Sequence, residues 1–281
     1  MPATNNNMKR FLKHSATSAI TLLLGLLLTA SVYGSSSAAV DHELWGEVLE
    51  RFVDDDGFVD YHGLLEDPAT FNRYIDQIEN SSPESHPALF NGPEEELAYY
   101  INAYNALVFK GVLARGPESE SVWRGLISGY NFFVRMDIRV GGRETNLKSL
   151  EDDVIRAKYK DPRIHAALNC ASIGCPRLIR QPYLGATLDQ QLQAVMVGFL
   201  NADQHIQVDS ENRIVRISKI FKWFEEDFLE YEASQGNSGG TKTERMLQYI
   251  NRFRPDSQRI PVDYKIDHLK YDKGINSRQT D

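Results

Sequence analysis

Glu94-Glu95-Glu96-Leu97-Ala98-Tyr99-Tyr100-Ile101-Asn102-Ala103-Tyr104-Asn105-Ala106-Leu107-Val108-Phe109-Lys110-Gly111-Val112-Leu113 is the stretch that decides the fold. Pro93 ahead of it and three acids at its start suit a helix N-terminus, where negative charge meets the positive end of the dipole. After Leu97 the residues are apolar or aromatic on nearly every side, with Asn102, Asn105 and Lys110 the main exceptions. A helix that is apolar all round is buried, so this segment is expected to be the central helix of the fold. Two asparagines on such a helix must find partners or cost stability. The plain expectation is that they satisfy nearby backbone groups, and the other is that they line a site.

Toward the N-terminus, Pro68–Asn80 reads as an amphipathic helix with Phe71, Tyr74, Ile75 and Ile78 inward, and Asp41–Val53 as another with Leu44, Trp45, Val48, Leu49 and Phe52 inward. Phe58–Tyr61 reads as a short strand. Asp54-Asp55-Asp56-Gly57 opens like a calcium loop, but the position of the closing bidentate Glu holds Leu65, which excludes that chemistry. His62 reads as an ordinary solvated loop residue. Lys9, Arg10 and Lys13 precede an apolar run from Ala16 to Ala30, and small residues follow to Ala39. That pattern predicts an export signal over 1–39, a periplasmic or extracellular protein, and a single domain over 40–281 whose residues 40–80 are an N-terminal helical part. An uncleaved membrane anchor is the alternative. The signal holds the only three basic residues and no acid of the first 39, so the mature chain carries 28 basic against 39 acidic residues, a net charge of −11. Such a surface repels nucleic acid and anionic lipid, so no nucleic-acid partner and no membrane contact beyond the signal are expected.

Toward the C-terminus, Phe132–Val140, the turn Gly141-Gly142 and Arg143–Leu147 read as a β-hairpin. Leu147–Tyr159 reads as a helix with Glu151 and Asp152 in its first turns, where carboxylates are favoured. Thr187–Asn201 is an amphipathic helix, and Ile206–Val208 with Arg213–Ile217 a second hairpin. Helices follow around Phe221–Tyr231 and Thr243–Phe253, and a last strand lies in Tyr264–Tyr271. Runs of helix and hairpin without regular βα alternation predict an α+β fold: a buried central helix packed against a small, mainly antiparallel sheet, with several peripheral helices.

Both cysteines and a histidine fall within the eleven residues His165–Cys175, inside Asp161-Pro162-Arg163-Ile164-His165-Ala166-Ala167-Leu168-Asn169-Cys170-Ala171-Ser172-Ile173-Gly174-Cys175-Pro176. As a strand, Arg163–Cys170 alternates, with His165 and Asn169 on one face and Cys170 on the other. As a short helix capped by Asp161 and started by Pro162, it again sets His165 beside Asn169. Along a strand Cys170 lies roughly 17 Å from His165, so a His165–Cys170 pair needs a bend at Asn169 or help from another segment. Gly174 permits the positive φ of a tight loop. A thiol nucleophile needs a base: His165 is the candidate, Asn169 or Asn102 would orient the imidazole or donate to an oxyanion, and Glu151 would fix the tautomer. Amide or thioester hydrolysis or acyl transfer would result. A disulfide between Cys170 and Cys175 is the competing expectation for an exported chain. Redox exchange usually prefers a shorter spacing, and zinc would find Cys170, Cys175 and His165 but no evident fourth ligand.

Several segments together resemble the bacterial family catalogued as domain of unknown function 547. They are Val59-Asp60-Tyr61, Ile101–Leu107, Leu150-Glu151, Asp161–Pro176, Leu200 through Lys219-Ile220-Phe221-Lys222-Trp223-Phe224, and Tyr271-Asp272. The resemblance covers nearly the whole mature chain and brings no established activity with it. It implies a His after the acid that matches Glu151, where this chain has Asp152. Plant relatives keep a Cys matching Cys170 and have Ser in place of Cys175. A weaker likeness is to the papain and transglutaminase architecture, in which a sheet histidine faces the start of a buried helix. His165 and the central helix would take those places, with Asn102 standing where such enzymes carry their Cys.

Two functions are thus expected as alternatives. One is a thiol-dependent hydrolase or acyltransferase acting on peptide or cell-envelope amides through Cys170 and His165. The other is a non-catalytic envelope protein that binds a peptide or glycan, its loop stapled by a disulfide. No phosphate loop, dinucleotide fingerprint or G-x-S-x-G elbow occurs, so nucleotide-dependent and serine-hydrolase readings have no support, and no cofactor or metal is expected.

Overall fold

The computed structural model describes residues 39–124 and 129–278, so the expected signal segment, apart from Ala39, lies outside the described residues. The central helix forms as α4, defined below, and the chain builds on it. Helix α1 (His42–Phe52) is capped by the Asp41 carboxylate, α2 (Tyr61–Glu66) by Asp60, and α3 (Ala69–Asn80) runs back across α1. Helix α4 (Pro93–Arg115) buries Leu97–Phe109 without a break, together with Gly111 and Val112. Its stability therefore comes from packing on every side rather than from one amphipathic stripe.

The first departure from the sequence pattern follows α4. A strand is expected from Phe132, but α5 (Tyr130–Phe133) is a helical turn and the first strand β1 is only Ile138–Val140. Phe132 and Met136 both close on the bare Cα of Gly111, where an added Cβ would meet each of them within 2.9 Å. Residues four apart converge on one point in a turn, whereas an extended run holds them about 13 Å apart. Strand β2 (Arg143–Thr145) pairs antiparallel with β1 through the expected Gly141-Gly142 turn, both glycines at positive φ as a two-residue hairpin loop requires.

Residues 147–159 are helical as expected but not uniformly so: α6 (Leu147–Ser149) leads into a π-helical turn, Leu150–Arg156, and then α7 (Ala157–Tyr159). Helix α8 (Leu188–Leu200), the hairpin β3 (Ile206–Asp209) and β4 (Ile214–Ile217), α9 (Ile220–Trp223), α10 (Glu225–Ser234), α11 (Lys242–Asn251) and β5 (Lys265–His268) complete the chain. Strand β5 adds to β4 in parallel.

The α+β class expected from sequence is found, and Ile138 and Val140 of the antiparallel β1–β2 pair share the apolar cluster of the central helix. Helices α1, α2, α3, α8 and the π turn pack against α4. The three-stranded sheet belongs to a second apolar cluster with α9, α10 and α11. A helix buried on all sides needs several apolar partners, and a sheet of three four-residue strands offers one small face.

Both asparagines of α4 find their partners in distant backbone. Asn102 brackets residue 183, its Nδ2 donating to the Tyr183 carbonyl at 2.7 Å and its Oδ1 accepting the Tyr183 N–H at 2.9 Å. Asn105 does the same to the cysteine stretch, donating to the Ala167 carbonyl at 3.0 Å and accepting the Asn169 N–H at 2.9 Å. Replacing Asn105 by Ala strands both groups in the interior. The expected cost is about 2–4 kcal/mol, read as a lower urea midpoint at unchanged m-value; an unchanged midpoint would show that the clamp contributes nothing.

Candidate active site

The cysteine stretch takes the helical alternative, as a 3₁₀ turn over Pro162–Ala166 started by Pro162, with the Asp161 carboxylate accepting the Arg163 N–H at 3.0 Å. Past Asn169 the chain bends back on itself. Ala171 holds a left-handed φ of 58°, with its N–H on Asn169 Oδ1 at 2.9 Å and its carbonyl accepting the Asn276 N–H at 3.2 Å. Backbone in this region is costly for a residue with a Cβ and persists only where its surroundings fix it. The positive φ expected at Gly174 therefore sits at Ala171. Gly174 serves close approach instead, because a Cβ there would lie 2.9 Å from the Tyr271 ring and the Asp272 carbonyl.

The bend brings the two sulfurs together. Cys170 Sγ lies 2.7 Å from Cys175 Sγ, and both thiols are free. A covalent bond is about 2.05 Å long, so the expected disulfide is not present. The Tyr271 hydroxyl reaches both sulfurs, at 3.1 and 3.2 Å. The Cys170 N–H donates to Cys175 Sγ at 3.1 Å, and Ser172 Oγ, held by Trp123 Nε1–H at 2.7 Å, lies 3.6 Å from Cys170 Sγ. Burial alone would push the Cys175 thiol up, but hydrogen bonds from Cys170, from Tyr271 and from the backbone outweigh it and leave Cys175 below the ordinary thiol value. Cys170 is pushed well up by its hydrogen bond to Cys175, by burial and by the neighbouring charge. The pair therefore loses one proton early and the second late, as coupled sites do.

Both sulfurs line a cavity of about 500 Å³. Trp123, Tyr130, Phe133, Leu168, Trp223 and Phe224 make its walls mostly apolar, and Tyr104, Glu151, His165 and Tyr271 add polar atoms. Glu151 stands on the π turn, which the Ala157 N–H closes onto the Asp152 carbonyl. Such wide turns occur mainly at functional sites, and this one brings the adjacent Glu151 and Asp152 onto one cavity wall. Tyr104 Oη donates to Glu151 Oε2 at 3.0 Å. Burial raises Glu151 to about 7, against the hydrogen bond from Tyr104, which favours the charged form.

His165 lines the same cavity but makes no hydrogen bond to Cys170. Its Nε2 meets Asp227 Oδ2 at 2.8 Å, and its ring stacks on Phe224 with centroids 4.0 Å apart. Arg156 grips Asp227 in turn, at 2.7 Å and 2.9 Å, and reaches Asp152 at 2.6 Å. Burial lowers the His165 pKa despite Asp227, so the imidazole is neutral near pH 7. Asp227 is ionised, held well below the usual carboxylate range because its bonds to His165 and Arg156 outweigh burial. The Nε2–H consequently donates to Asp227 and leaves Nδ1, which is buried with no partner among the described residues, as the basic nitrogen.

Several expected roles are thereby redistributed. The His165–Cys170 pair is not formed, and Asp227 rather than Glu151 fixes the imidazole. Asn102 and Asn169 are engaged with backbone: Asn102 holds Tyr183, while Asn169 Nδ2 donates to the Pro176 carbonyl at 3.0 Å and its Oδ1 holds Ala171. The papain-like placement also fails, because His165 stands on a 3₁₀ turn and not on a sheet. Tyr104, Arg156 and Asp227 are additions that sequence pattern missed. Among the described residues, no group of three or more His, Cys, Asp or Glu is arranged to hold a metal ion.

Against known proteins, residues 88–200 match the family model described as "Protein of unknown function, DUF547". That stretch contains α4, the π turn, His165 and both cysteines, while Asp227 and Tyr271 lie beyond it. No curated protein and no solved structure matches the chain.

Because the folded pKa of Glu151 lies above its ordinary value of 4.5, the unfolded chain binds fewer protons between about pH 4.5 and 7. Stability due to this group is full below that window and falls as pH rises through it. Glu151→Gln should remove about 2 kcal/mol of that fall, a figure discounted because the carboxyl is partly open to the cavity. Urea unfolding at pH 5 and pH 8 reads it, and parallel pH profiles of wild type and variant would contradict it. Tyr104→Phe should move the Glu151 titration further up.

Proposed function

We propose that this cavity is the active site of a thiol-dependent hydrolase or acyltransferase acting on an amide or thioester with an apolar acyl part, such as a peptide or cell-envelope component. The observation that carries the proposal is the meeting, in one mostly apolar cavity, of a partly exposed thiol at Cys170, a second sulfur 2.7 Å from it, and a carboxyl at Glu151 raised to about 7. Carboxyls tuned toward neutrality are suited to both halves of acid–base catalysis.

In this mechanism the pair starts singly ionised, with the charge on Cys175, and Cys170 Sγ attacks the carbonyl carbon while its proton passes to the Cys175 thiolate. The Tyr271 hydroxyl, already within reach of the attacking sulfur, donates to the developing oxyanion. Glu151 in its protonated form gives its proton to the leaving nitrogen or sulfur. As a carboxylate it then takes a proton from the water or acceptor that releases the acyl group. His165, neutral and fixed by Asp227, holds the wall against which the acyl part rests. The alternative of a non-catalytic binder stapled by a disulfide has less support, because the two thiols are unbonded.

Incubation with an octanoyl thioester should place one acyl group on Cys170, seen by peptide mass spectrometry. Cys170→Ala should abolish turnover, and Glu151→Gln should slow it about 10²–10⁴-fold. Acylation that persists in Cys170→Ala, or turnover indifferent to Glu151→Gln, would overturn the proposal.

A further inference from the structure

Acyl transfer uses one sulfur as its nucleophile, yet two are built into this site, and their surroundings differ in a way that suits a second chemistry. Both cysteines line the cavity, Cys170 partly exposed and Cys175 buried. Cys175 Sγ is the better supplied with donors, taking the Cys170 N–H at 3.1 Å and standing 3.2 Å from the Tyr271 hydroxyl. The loop between the cysteines is already folded to hold the sulfurs in contact. Ala171 is locked left-handed by Asn169 and Asn276, Cys175 N–H bonds the Ser172 carbonyl at 3.0 Å, and Ile173 and Gly174 are tied to the backbone of Gly274 and Asp272. Residues five apart in extended chain lie roughly 17 Å apart, so this contact is made by the fold and not by sequence proximity.

We infer that the protein also performs thiol–disulfide exchange, with Cys170 attacking a disulfide in the cavity and Cys175 resolving the mixed disulfide. In the first step Cys170 Sγ bonds to one sulfur of the substrate, the substrate S–S bond breaks, and the departing thiolate carries away the electron pair. Cys175 starts as the thiolate of the pair, so the Cys170 proton passes to it and on to the departing thiolate, and Cys175 is again a thiolate. In the second step the Cys175 thiolate bonds to Cys170 Sγ, the mixed disulfide breaks, and the second substrate thiolate leaves and takes a proton from water. Two electrons pass from the reduced, singly ionised cysteine pair to the substrate, which is reduced to two thiols with one proton from Cys170 and one from water, and the protein is left with a Cys170–Cys175 disulfide. An external dithiol reverses that state and completes turnover. The aromatic walls at Trp123, Tyr130 and Trp223 favour a disulfide flanked by apolar groups, such as one in a partly unfolded peptide.

The inference stands apart from acyl transfer, because exchange requires both sulfurs as nucleophiles. The test is reduction of insulin disulfides by dithiothreitol in the presence of the full reduced chain. Wild type should accelerate the reaction on the order of tenfold over the uncatalysed rate, and Cys170→Ser and Cys175→Ser should each remove the acceleration. With a limiting disulfide and no dithiothreitol, Cys175→Ser should stop as a mixed disulfide on Cys170, and wild type should end as the internal disulfide. Thermal melts guard against unfolding, with Cys175→Ala as the second variant. Wild type no faster than the double variant, or a single variant as fast as wild type, overturns the inference. Loss of exchange with acyl transfer intact in wild type would leave the acylation reading standing alone.

Discussion

A buried helix cannot carry an unpaired amide, and much of this protein's site geometry depends on how α4 meets that constraint at Asn105. The side chain has one donor group and one acceptor to satisfy away from water. It satisfies them by clamping the Ala167 carbonyl and the Asn169 N–H, both on the cysteine stretch. Asn169 is thereby fixed, and its own side chain spans the loop from Ala171 to Pro176. Asn276 joins the same cluster and is tied in turn to the Tyr61 hydroxyl at 3.0 Å. A polar requirement of the core thus becomes the device that holds two sulfurs together.

The wall opposite the loop is organised by charge. Lys148, Asp152, Arg156, Asp227 and His165 form an unbroken chain of ion pairs and hydrogen bonds from the rim to the interior. Its members are partly or fully buried except the outermost lysine, so their mutual attraction is poorly screened. The consequence for function is fixed orientation: the imidazole cannot turn without giving up its bond to Asp227, which Arg156 holds in place. Glu151 sits beside this chain, bonded to Tyr104, and its burial brings its titration up to about 7.

Much of the architecture was legible in the sequence, for definite reasons. The uninterrupted apolar run after Leu97 has no stable place except the interior, and the Gly141-Gly142 pair allows few connections other than a tight hairpin. The cysteine stretch announced itself because Asp161-Pro162 is a helix start and both sulfurs follow. What stayed hidden lies far apart in the chain. Tyr271 is about a hundred residues from the cysteines it touches, and Asp227 is one of three successive acids in a first helical turn, where all three look equally well explained by the dipole. The π turn leaves no mark in a hydropathy pattern, since one wider turn shifts the period too little to see. The Asn partners were predictable as backbone but not as particular residues, because the bonds span 62 to 81 positions.

The central claim is that Cys170 and Cys175 ionise as one unit within the cavity. Thiolate absorbance in the ultraviolet, followed against pH in reduced wild type and in the Cys170→Ala and Cys175→Ala variants, tests it most directly. The account predicts one thiolate per wild-type chain forming below the ordinary thiol range near 8.5, with the second withheld to strongly alkaline pH. In Cys170→Ala the remaining thiol should ionise later than the first proton of the pair, having lost the S–H donor. Two wild-type thiolates forming together at the ordinary value, with each variant showing half the same curve, would contradict it.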